Sequence, residues 1–451
     1  MKRLIWLPTA LMTGLVFPAI AHADPPIDDL QGPMTPADPA IFGGQTADTC
    51  AWPTSVMVSS GWGLCSGTLI HPEIVLYAAH CGGGNKTITF GNGQGQGYQV
   101  SASNCQLNPE YNANINPDGS CGPCDQQDDF AYCKLSQPVQ IPVTPVAMGC
   151  ELNELVYGEE VAIIGFGANN TQGSNDTGSG TKRWGLATLL GISESNGIAE
   201  ISMQGEPHIC GGDSGGGALR RYADGGWRVF GVTSTGTGNC NAPGGNYTFG
   251  LASRAVPWIE ATSGVDVSPC FDANTGAWEM NAACENFMAM EPGAAFGSWN
   301  NGCVGGPTTG PASTCGPPHN AAPDTDDPFV EITYPGYGEM FPSGTAINID
   351  ANATDAGWGV KEVRLLIDGQ DVAGDTVPPY QWEDVGFPDG VYELVAQAED
   401  HSGKIALSAP INVQFGDGGT IPPDPSTGST SGATTTTGGG SDETMGSGDV
   451  G

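Results

Sequence analysis

The chain has 451 residues, of which 49 are acidic and 13 are Lys or Arg, so its formal net charge is −36. This length exceeds what one ordinary hydrophobic core holds, so we expect two or more domains. The acidic balance argues against nucleic acids and anionic membranes as partners, because both are bound through Lys and Arg clusters. Gly and Pro contribute 70 and 35 residues, a composition typical of short strands, turns and linkers rather than long helices.

Residues 1–23 have the pattern of a secretory signal peptide. Two basic residues precede an apolar run over 4–20, and Ala21-His22-Ala23 is a small-x-small cleavage site. Residues 24–40 are Pro-rich and polar, without a hydrophobic period, which indicates a propeptide. We therefore expect a secreted or surface-associated mature chain that begins at Ile41 and has no membrane span.

Fourteen cysteines are spread from Cys50 to Cys315. In an exported chain their default role is to form disulfides. The spacing of Cys121 and Cys124 is also compatible with zinc, but no second Cys-x-x-Cys pair completes such a site. The sequence therefore favours disulfides, and we expect no metal and no cofactor.

A Gly-rich stretch over 210–217 places Ser214 directly after an aspartate. A serine hydroxyl becomes a nucleophile when a base takes its proton and donors stabilise the oxyanion that forms. Glycines suit the second task, because a backbone without Cβ atoms lets a substrate carbonyl come close. A flexible Gly/Ser turn is the alternative, so the interpretation depends on residues elsewhere in the chain.

Candidates for a base and an acid precede this stretch. Two β-type runs around His71-Pro72 predict a hairpin that ends on His80. At Asp129 an acid opens an alternating apolar strand, where a carboxylate can be buried against an imidazole N–H. A freed ammonium on Ile41 would need a carboxylate partner if buried, and Asp213 is the candidate.

Residues 41–263 resemble the trypsin and chymotrypsin family of serine proteases. The family's His, Asp, Ser order is kept by four motifs, namely Ile41-Phe42-Gly43-Gly44, Ala78-Ala79-His80-Cys81, Asp129-Phe130-Ala131 and Gly212-Asp213-Ser214-Gly215-Gly216. The resemblance implies that Ser214 attacks the substrate carbonyl, His80 is the general base, and Asp129 orients His80. Asp128 competes for the acid role, but Asp129 alone fits the family's acid-x-Ala register.

The resemblance also implies how the site is completed. The backbone N–H groups of Gly212 and Ser214 would form the oxyanion hole. Removal of the propeptide by an activating protease would let Ile41 pair with Asp213 and assemble that hole. Ala40, rather than Lys or Arg, precedes Ile41, so the activating enzyme is expected to accept small residues.

An all-β fold of two antiparallel β-barrels, with the triad in the crevice between them, follows from the resemblance. Runs at 155–156, 161–164 and 228–234 support it as short strands, and 255–260 resembles the family's closing helix. Family position implies the bridges Cys65–Cys81 and Cys210–Cys240. Six cysteines of this unit remain unassigned, with 15 pairings among themselves, and they are Cys50, Cys105, Cys121, Cys124, Cys133 and Cys150.

Specificity is where the sequence departs from familiar members of the family. His208, six residues before the nucleophile, stands where an acid would select Lys or Arg, so trypsin-type cleavage is not expected. Two readings remain open for His208: selection of an acidic side chain, or a packed residue in a neutral pocket. The segment Ser234-Thr235-Gly236 resembles the one that pairs with the substrate backbone, with Thr235 in place of an aromatic residue.

The C-terminal part divides into three segments. Residues 264–322 contain four cysteines without a clear period and predict a Cys-rich connecting segment held by disulfides. Residues 323–415 alternate in polarity between turns and resemble bacterial Ig-like domains, which implies a β-sandwich. Residues 416–451 are rich in Gly, Ser, Thr and Asp, which predicts a disordered tail.

The role of the Ig-like domain is open at this stage. Such domains act as spacers or bind glycans or cell surfaces, so a surface ligand is a candidate partner. Four acids would suit calcium, but solvated loop carboxylates are the commoner explanation, and they are Asp355, Asp384, Glu399 and Asp400.

The sequence as a whole predicts a secreted serine endopeptidase made as a zymogen, acting on protein or peptide substrates. The alternative is a non-catalytic adhesin that reuses the protease fold. Degenerate members typically lose triad residues, whereas His80, Asp129 and Ser214 are all present here, which favours the enzyme.

Overall fold

A computed structural model describes residues 41, 43–60, 63–113, 126–172, 175–202, 207–236, 246–291, 294, 296–299, 303, 305–310, 315–317, 319 and 321–423. The predicted signal peptide and propeptide lie outside these residues, as does the predicted tail from residue 424 onward. Cys121, Cys124 and Cys240 also lie outside them. Within the described chain no helix is long and apolar enough to cross a membrane.

The first half of the protease-like part forms a closed antiparallel barrel. Its strands follow an initial short strand β1 and run in the order β2-β3-β4-β7-β6-β5. Alternate side chains fill the interior, because successive residues of a strand point to opposite faces; Val56, Val58, Ile88 and Phe90 are among them. The strands are β1 (Gln45–Thr46), β2 (Ser55–Ser60), β3 (Gly63–His71), β4 (Ile74–Tyr77), β5 (Gly84–Gly93), β6 (Gln96–Leu107) and β7 (Ala131–Lys134).

A second six-stranded antiparallel barrel follows. It has the order β11-β12-β15-β14-β13-β8 and closes through pairing of β8 with β11, while β1 extends the other edge of β11. The run over 161–164 is apolar throughout because Val161 and Ile163 fill this barrel, whereas Ala162 and Ile164 face a second core outside it. The strands are β8 (Glu160–Gly165), β9 (Asn170–Gln172), β10 (Asn175–Thr177), β11 (Arg183–Ser193), β12 (Ile198–Ser202), β13 (Gly217–Arg221), β14 (Trp227–Gly236) and β15 (Asn246–Leu251).

Helices are few and short in the described chain. The expected closing helix is α3 (Val256–Ser263). One predicted strand is wrong, because Leu155-Val156 lies in the loop after α2 (Cys150–Asn153), where Val156 is 40% exposed. Two apolar residues without a neighbouring strand to pair with do not make a strand. The helices are α1 (Pro109–Ala113), α2 (Cys150–Asn153) and α3 (Val256–Ser263), with 3₁₀ turns at Ala79–Cys81, Gln126–Asp128 and Ala252–Ala255.

The connecting segment packs directly onto both barrels. Phe287 and Met288 form strand β16 (Phe287–Met288), which pairs with β17 (Thr308–Thr309) and joins the core that contains Trp52 and Trp227. The indole N–H of Trp227 donates to the carbonyl of Met290 at 2.7 Å. This segment is therefore part of the hydrophobic core of the protease-like unit.

Disulfides attach this segment to the barrels at two points. Cys50 is bonded to Cys303 and Cys150 to Cys315, over sequence separations of 253 and 165 residues. Further bonds join Cys105 to Cys133 and Cys270 to Cys284. The sequence leaves the partners of Cys50 and Cys150 open, and the structure pairs both with cysteines of the connecting segment rather than with cysteines of the barrels.

The C-terminal domain is a β-sandwich, as predicted. One sheet has the order β18-β20-β23 and the other β19-β26-β24-β21-β22, with β25 added to β24. Its core takes the alternating residues of the strands, with Ile349, Leu365 and Leu394 fully buried. The strands are β18 (Phe329–Tyr334), β19 (Met340–Phe341), β20 (Ala346–Thr354), β21 (Val360–Ile367), β22 (Gln370–Asp375), β23 (Tyr380–Gly386), β24 (Gly390–Asp400), β25 (Ile405–Leu407) and β26 (Ile411–Phe415). The predicted all-β fold of two barrels and an Ig-like sandwich is confirmed.

Candidate active site

His80 lies in a 3₁₀ turn that follows strand β4. The strand ends at Tyr77, and the turn Ala79–Cys81 reverses the chain at the edge of the first barrel. Ala79 is buried, and Cys81 is bonded to Cys65 of β3, so the backbone on both sides of His80 is held. The His80 side chain keeps 32% exposure, which leaves its ring accessible to a substrate.

Asp129 is held against His80 by hydrogen bonds to both carboxylate oxygens. The His80 backbone N–H donates to Oδ1 at 2.9 Å, and ring Nδ1 of His80 lies 2.7 Å from Oδ2. The Ser234 hydroxyl also donates to Oδ2, at 2.7 Å. Burial raises the pKa of Asp129, but the bonds from His80 and Ser234 and attraction to His80 outweigh it and hold the pKa below its ordinary value. The carboxylate is thus ionised and can stabilise an imidazolium.

Asp128 occupies a different environment. It ends the 3₁₀ turn Gln126–Asp128, and its Oδ1 lies 3.7 Å from the guanidinium of Arg254. Its carboxylate therefore faces a neighbouring turn, whereas that of Asp129 faces His80.

The loop that carries Ser214 lies against the turn that carries His80. A Cβ on Gly215 would lie 2.8 Å from the backbone N of Ala78, so only glycine permits this approach of the two backbones. The carbonyl oxygen of Ser214 lies 3.8 Å from Sγ of Cys81 and accepts the backbone N–H of Ser66 at 2.8 Å. The fold thus brings the segments of His80 and Ser214 side by side, one from each barrel.

Backbone N–H groups at this loop follow an alternating pattern. Asp213 donates to Cys210 at 3.0 Å, and Gly215 donates to Thr233 at 2.9 Å. Among the described residues, by contrast, none accepts a hydrogen bond from the N–H groups of Gly212 and Ser214. Two donors on one tight loop that remain without a protein acceptor can bind an oxyanion.

Asp213 is fully buried beneath the same loop. Its Oδ1 accepts the N–H of Gly167 at 2.6 Å, and its Oδ2 accepts the N–H of Cys210 at 2.8 Å. Burial raises the pKa of Asp213 to about 7, against the lowering effect of these two amides and of Arg183. Ile41 is 1% exposed and packs in the core of the second barrel. A buried carboxyl with a raised pKa is one that a nearby cation would stabilise.

The residues considered for specificity lie on the second barrel. His208 is 5% exposed, and its ring lies parallel to that of Tyr247, with centroids 6.1 Å apart. Thr235 accepts a hydrogen bond from Gln126 at 2.7 Å, and the Tyr247 ring occupies the space that a Cβ on Gly236 would need. This stacking of His208 on Tyr247 is compatible both with selection of an acidic side chain and with a packed residue in a neutral pocket. Cys210 is disulfide-bonded, and the predicted partner Cys240 lies outside the described residues.

The contact of the Ser234 hydroxyl with Asp129 is one that the sequence does not indicate. The sequence points to the backbone of Ser234, in the segment expected to pair with substrate, whereas its side chain reaches Asp129, 105 residues away. This contact depends on how strand β14 passes the loop before β7, so no local pattern points to it.

Outside the protease-like unit the described residues contain one group of three carboxylates. Single oxygens of Asp324, Asp355 and Asp400 lie within 4.8 Å of one another. Asp384 and Glu399, also considered for calcium, are not in the group. The ammonium of Lys404 lies 3.3 Å from Asp324 and 3.7 Å from Asp400, so a protein cation already offsets part of this charge.

Two closed antiparallel barrels, with His80 and Asp129 on the first and Ser214 on the second, define a protein of the trypsin-like serine protease class. Residues 41–259 match the family model described as Trypsin, and residues 328–406 match that described as Bacterial Ig domain. The unit formed by residues 41–259 therefore belongs to the trypsin family, a family of serine-type endopeptidases, and the chain also carries a bacterial Ig domain.

Curated relatives agree with this assignment. Kallikrein-2 of Homo sapiens is 30% identical over 135 residues, covering 28% of this chain and 52% of that protein. Serine protease 1 of Canis lupus familiaris is 27% identical over 252 residues, covering 52% of this chain and 92% of that protein. Serine protease 56 of Mus musculus is 32% identical over 249 residues, covering 50% of this chain and 39% of that protein.

Proposed function

We propose that this chain is a secreted serine endopeptidase that hydrolyses peptide bonds of protein substrates through Ser214, His80 and Asp129. The observation that carries the proposal is the His80 ring held 2.7 Å from an ionised, buried Asp129. A carboxylate in that position selects the imidazole tautomer and stabilises the imidazolium that forms when the ring takes a proton. The fold-level relationship adds the reaction class, since fold alone does not establish activity.

The proposed reaction proceeds in two halves. Ser214 Oγ attacks the scissile carbonyl carbon as its proton passes to His80, and the carbonyl oxygen becomes an oxyanion facing the N–H groups of Gly212 and Ser214. His80 then protonates the departing amine, leaving an acyl-enzyme on Ser214. Water attacks this ester with His80 again as base, and collapse of the second tetrahedral intermediate releases the acid and regenerates the serine.

Activation is proposed to follow cleavage between Ala40 and Ile41 by a protease that accepts small residues. The new ammonium of Ile41, whose side chain packs in the second barrel, would pair with Asp213, the buried carboxyl whose pKa is raised to about 7. Its pairing would fix the loop that contains Gly212 and Ser214. Activity of the processed enzyme should then decline in alkali as the ammonium loses its proton.

Specificity is proposed to be non-tryptic, for neutral or acidic side chains, because His208 stands where the family carries its selecting residue. We further propose that residues 264–322 form a layer on the protease barrels and are attached to them by disulfides. The Ig-like sandwich would then act as a spacer or bind a cell-surface or glycan ligand.

A peptide-library digestion tests the proposed function. Processed chain should cleave after neutral or acidic residues, and Ser214→Ala should cleave nothing. Processed chain with an acetylated Ile41 should lose activity, because acetylation removes the charge that Asp213 needs. Cleavage that survives Ser214→Ala in purified protein would contradict the proposal, as would an inactive, correctly processed wild type.

A further inference from the structure

Three carboxylates converge at the end of the C-terminal sandwich where the chain enters it. Asp324 lies in the segment before β18, Asp355 directly follows β20, and Asp400 is the last residue of β24. These positions are close in space because β18 begins opposite the end of β20, where Phe329 pairs with Thr354. One oxygen from each of the three carboxylates lies within 4.8 Å of the other two.

Asp355 and Asp400 each have one carboxylate oxygen that is held and one that has no donor. The N–H of Gly359 donates to Oδ2 of Asp355, and that of Ser402 donates to Oδ1 of Asp400, both at 2.8 Å. The other oxygens, Oδ1 of Asp355 and Oδ2 of Asp400, are buried and accept no hydrogen bond from the described residues. Asp400 as a whole is 0% exposed. Because a buried carboxylate oxygen without a donor is costly, these two oxygens favour a ligand of positive charge.

One protein cation, Lys404, pairs with this cluster in the described part of the chain. Its ammonium lies 3.3 Å from Oδ1 of Asp324 and 3.7 Å from Oδ2 of Asp400, the second beyond hydrogen-bonding distance. The same ammonium donates to the carbonyl of Asp326 at 2.6 Å. The N–H groups of Trp358 and Asp326 hold the pKa of Asp324 below its ordinary value, so that carboxylate is ionised. One ammonium therefore offsets only part of the negative charge that three ionised carboxylates carry.

We propose that Asp324, Asp355 and Asp400 bind a calcium ion that links the entering chain to the sandwich. Calcium takes about six to eight oxygen ligands from carboxylates, backbone carbonyls and water in flexible geometry, whereas magnesium demands a near-ideal octahedron. Carboxylates from three separate segments suit calcium, and the carbonyl of Asp326 lies beside them. The ion would displace the ammonium of Lys404, whose side chain is 29% exposed and can extend into solvent. Because Asp324 precedes the first strand of the sandwich, binding would stiffen the link to the protease-like unit.

The test is a calorimetric titration of the full-length Ser214→Ala chain, which cannot digest itself, with calcium chloride at physiological ionic strength. One ion should bind with a Kd of about 10⁻⁴–10⁻³ M, the range of extracellular calcium modules, and magnesium should bind about tenfold more weakly or less. Adding Asp355→Asn or Asp400→Asn should weaken calcium binding by about tenfold or more, because each removes a charged ligand. Adding Lys404→Gln should tighten it about tenfold, because the competing cation is removed.

Asp384→Asn is the matched control, since Asp384 is an acid of the same sandwich outside the cluster, and its φ of +53° is one that asparagine tolerates. It should leave the calcium affinity unchanged. Asp355 is partly exposed, so Asp355→Asn supplies the result if Asp400→Asn does not fold. Calcium should also slow limited proteolysis within residues 321–328, but not in Asp355→Asn.

No binding by either the starting chain or its Lys404→Gln variant would overturn the inference. An equal loss of affinity in Asp384→Asn and Asp355→Asn would also overturn it, by assigning the binding to the general acidity of the surface. Calcium binding that leaves proteolysis within residues 321–328 unchanged would overturn the proposed stiffening. None of these outcomes depends on the proposed hydrolysis, because the three carboxylates lie outside the candidate active site.

Discussion

The hydroxyl of Ser234 donates a 2.7 Å hydrogen bond to the same carboxylate oxygen of Asp129 that faces the His80 ring. Strand β14 of the second barrel thereby supports an acid–base pair carried by the first. A neutral donor on a buried carboxylate stabilises its ionised form, since hydrogen bonds to charged groups contribute about 1.5–3 kcal/mol. The two barrels are thus coupled through Asp129, as well as through the loop of Ser214.

We predict that Ser234→Ala raises the pKa of Asp129 and removes one of the bonds that fix its carboxylate against His80. The expected result is a fall in kcat/KM of about 10-fold, in line with the strength of one charge-assisted bond. The acid limb of the kcat/KM profile should also move to higher pH. Kinetics from pH 4 to 9 measure both effects, and an unchanged profile would show that the Ser234 hydroxyl does not act on the acid.

Asp129→Asn and Asp128→Asn form a matched pair of neighbouring substitutions. Asparagine at 129 would present a donor to Nδ1 of His80 and favour the wrong tautomer, so kcat should fall about 10⁴-fold. Asparagine at 128 removes only a carboxylate 3.7 Å from Arg254 and should leave kcat within about twofold, as expected for a partly exposed pair. Equal losses from both would refute the assignment of Asp129.

The buried carboxyl of Asp213 predicts that stability depends on pH differently before and after processing. Its pKa is about 7 in the unprocessed chain against an ordinary 3.8, and a raised folded pKa favours folding below pH 4 and loses that stability as pH rises through 7. The loss should reach a few kcal/mol, since each pKa unit corresponds to about 1.4 kcal/mol. An Ile41 ammonium would lower the pKa and abolish the loss.

Urea unfolding between pH 4 and 8 measures this difference in the inactive Ser214→Ala background. The free energy of unfolding of the unprocessed chain should fall towards neutral pH relative to that of the processed chain. That of unprocessed Asp213→Asn should not. Parallel stability curves for processed and unprocessed chains would contradict the pairing of Ile41 with Asp213.

The bond between Cys50 and Cys303 closes 253 residues and fixes the connecting segment to the first barrel. Its removal in a Cys50→Ser, Cys303→Ser chain should destabilise the protease unit by about 2–5 kcal/mol. The bond between Cys270 and Cys284 closes only 14 residues inside the segment, so its removal should cost less. Urea unfolding of both disulfide variants, monitored by the loss of hydrolysis, compares the two effects. An equal loss of stability would argue against a stabilising role for the attachment of the connecting segment to the first barrel.

Local sequence motifs were enough to indicate the candidate site residues and the alternating strands of the sandwich. The His80, Asp129 and Ser214 motifs are short and contiguous, and the alternation around Ile349 and Leu365 follows directly from strand geometry. Contacts that depend on barrel closure could not be predicted from the sequence. Among them are the hydrogen bond from the Ser234 hydroxyl to Asp129 and that from the Ser66 hydroxyl to the carbonyl of Gly212. The pairing of Cys50 with Cys303 was equally hidden, because no spacing rule links residues so far apart.

The most direct test of the account is to react processed chain with a fluorophosphonate and locate the adduct by mass spectrometry. We predict a single adduct on Ser214, absent from Ser214→Ala and strongly slowed in His80→Ala, because only a base-activated serine attacks phosphorus rapidly. Unprocessed chain should react far more slowly than processed chain. No adduct on correctly processed wild type, or an adduct that forms equally fast without His80, would contradict the central claim.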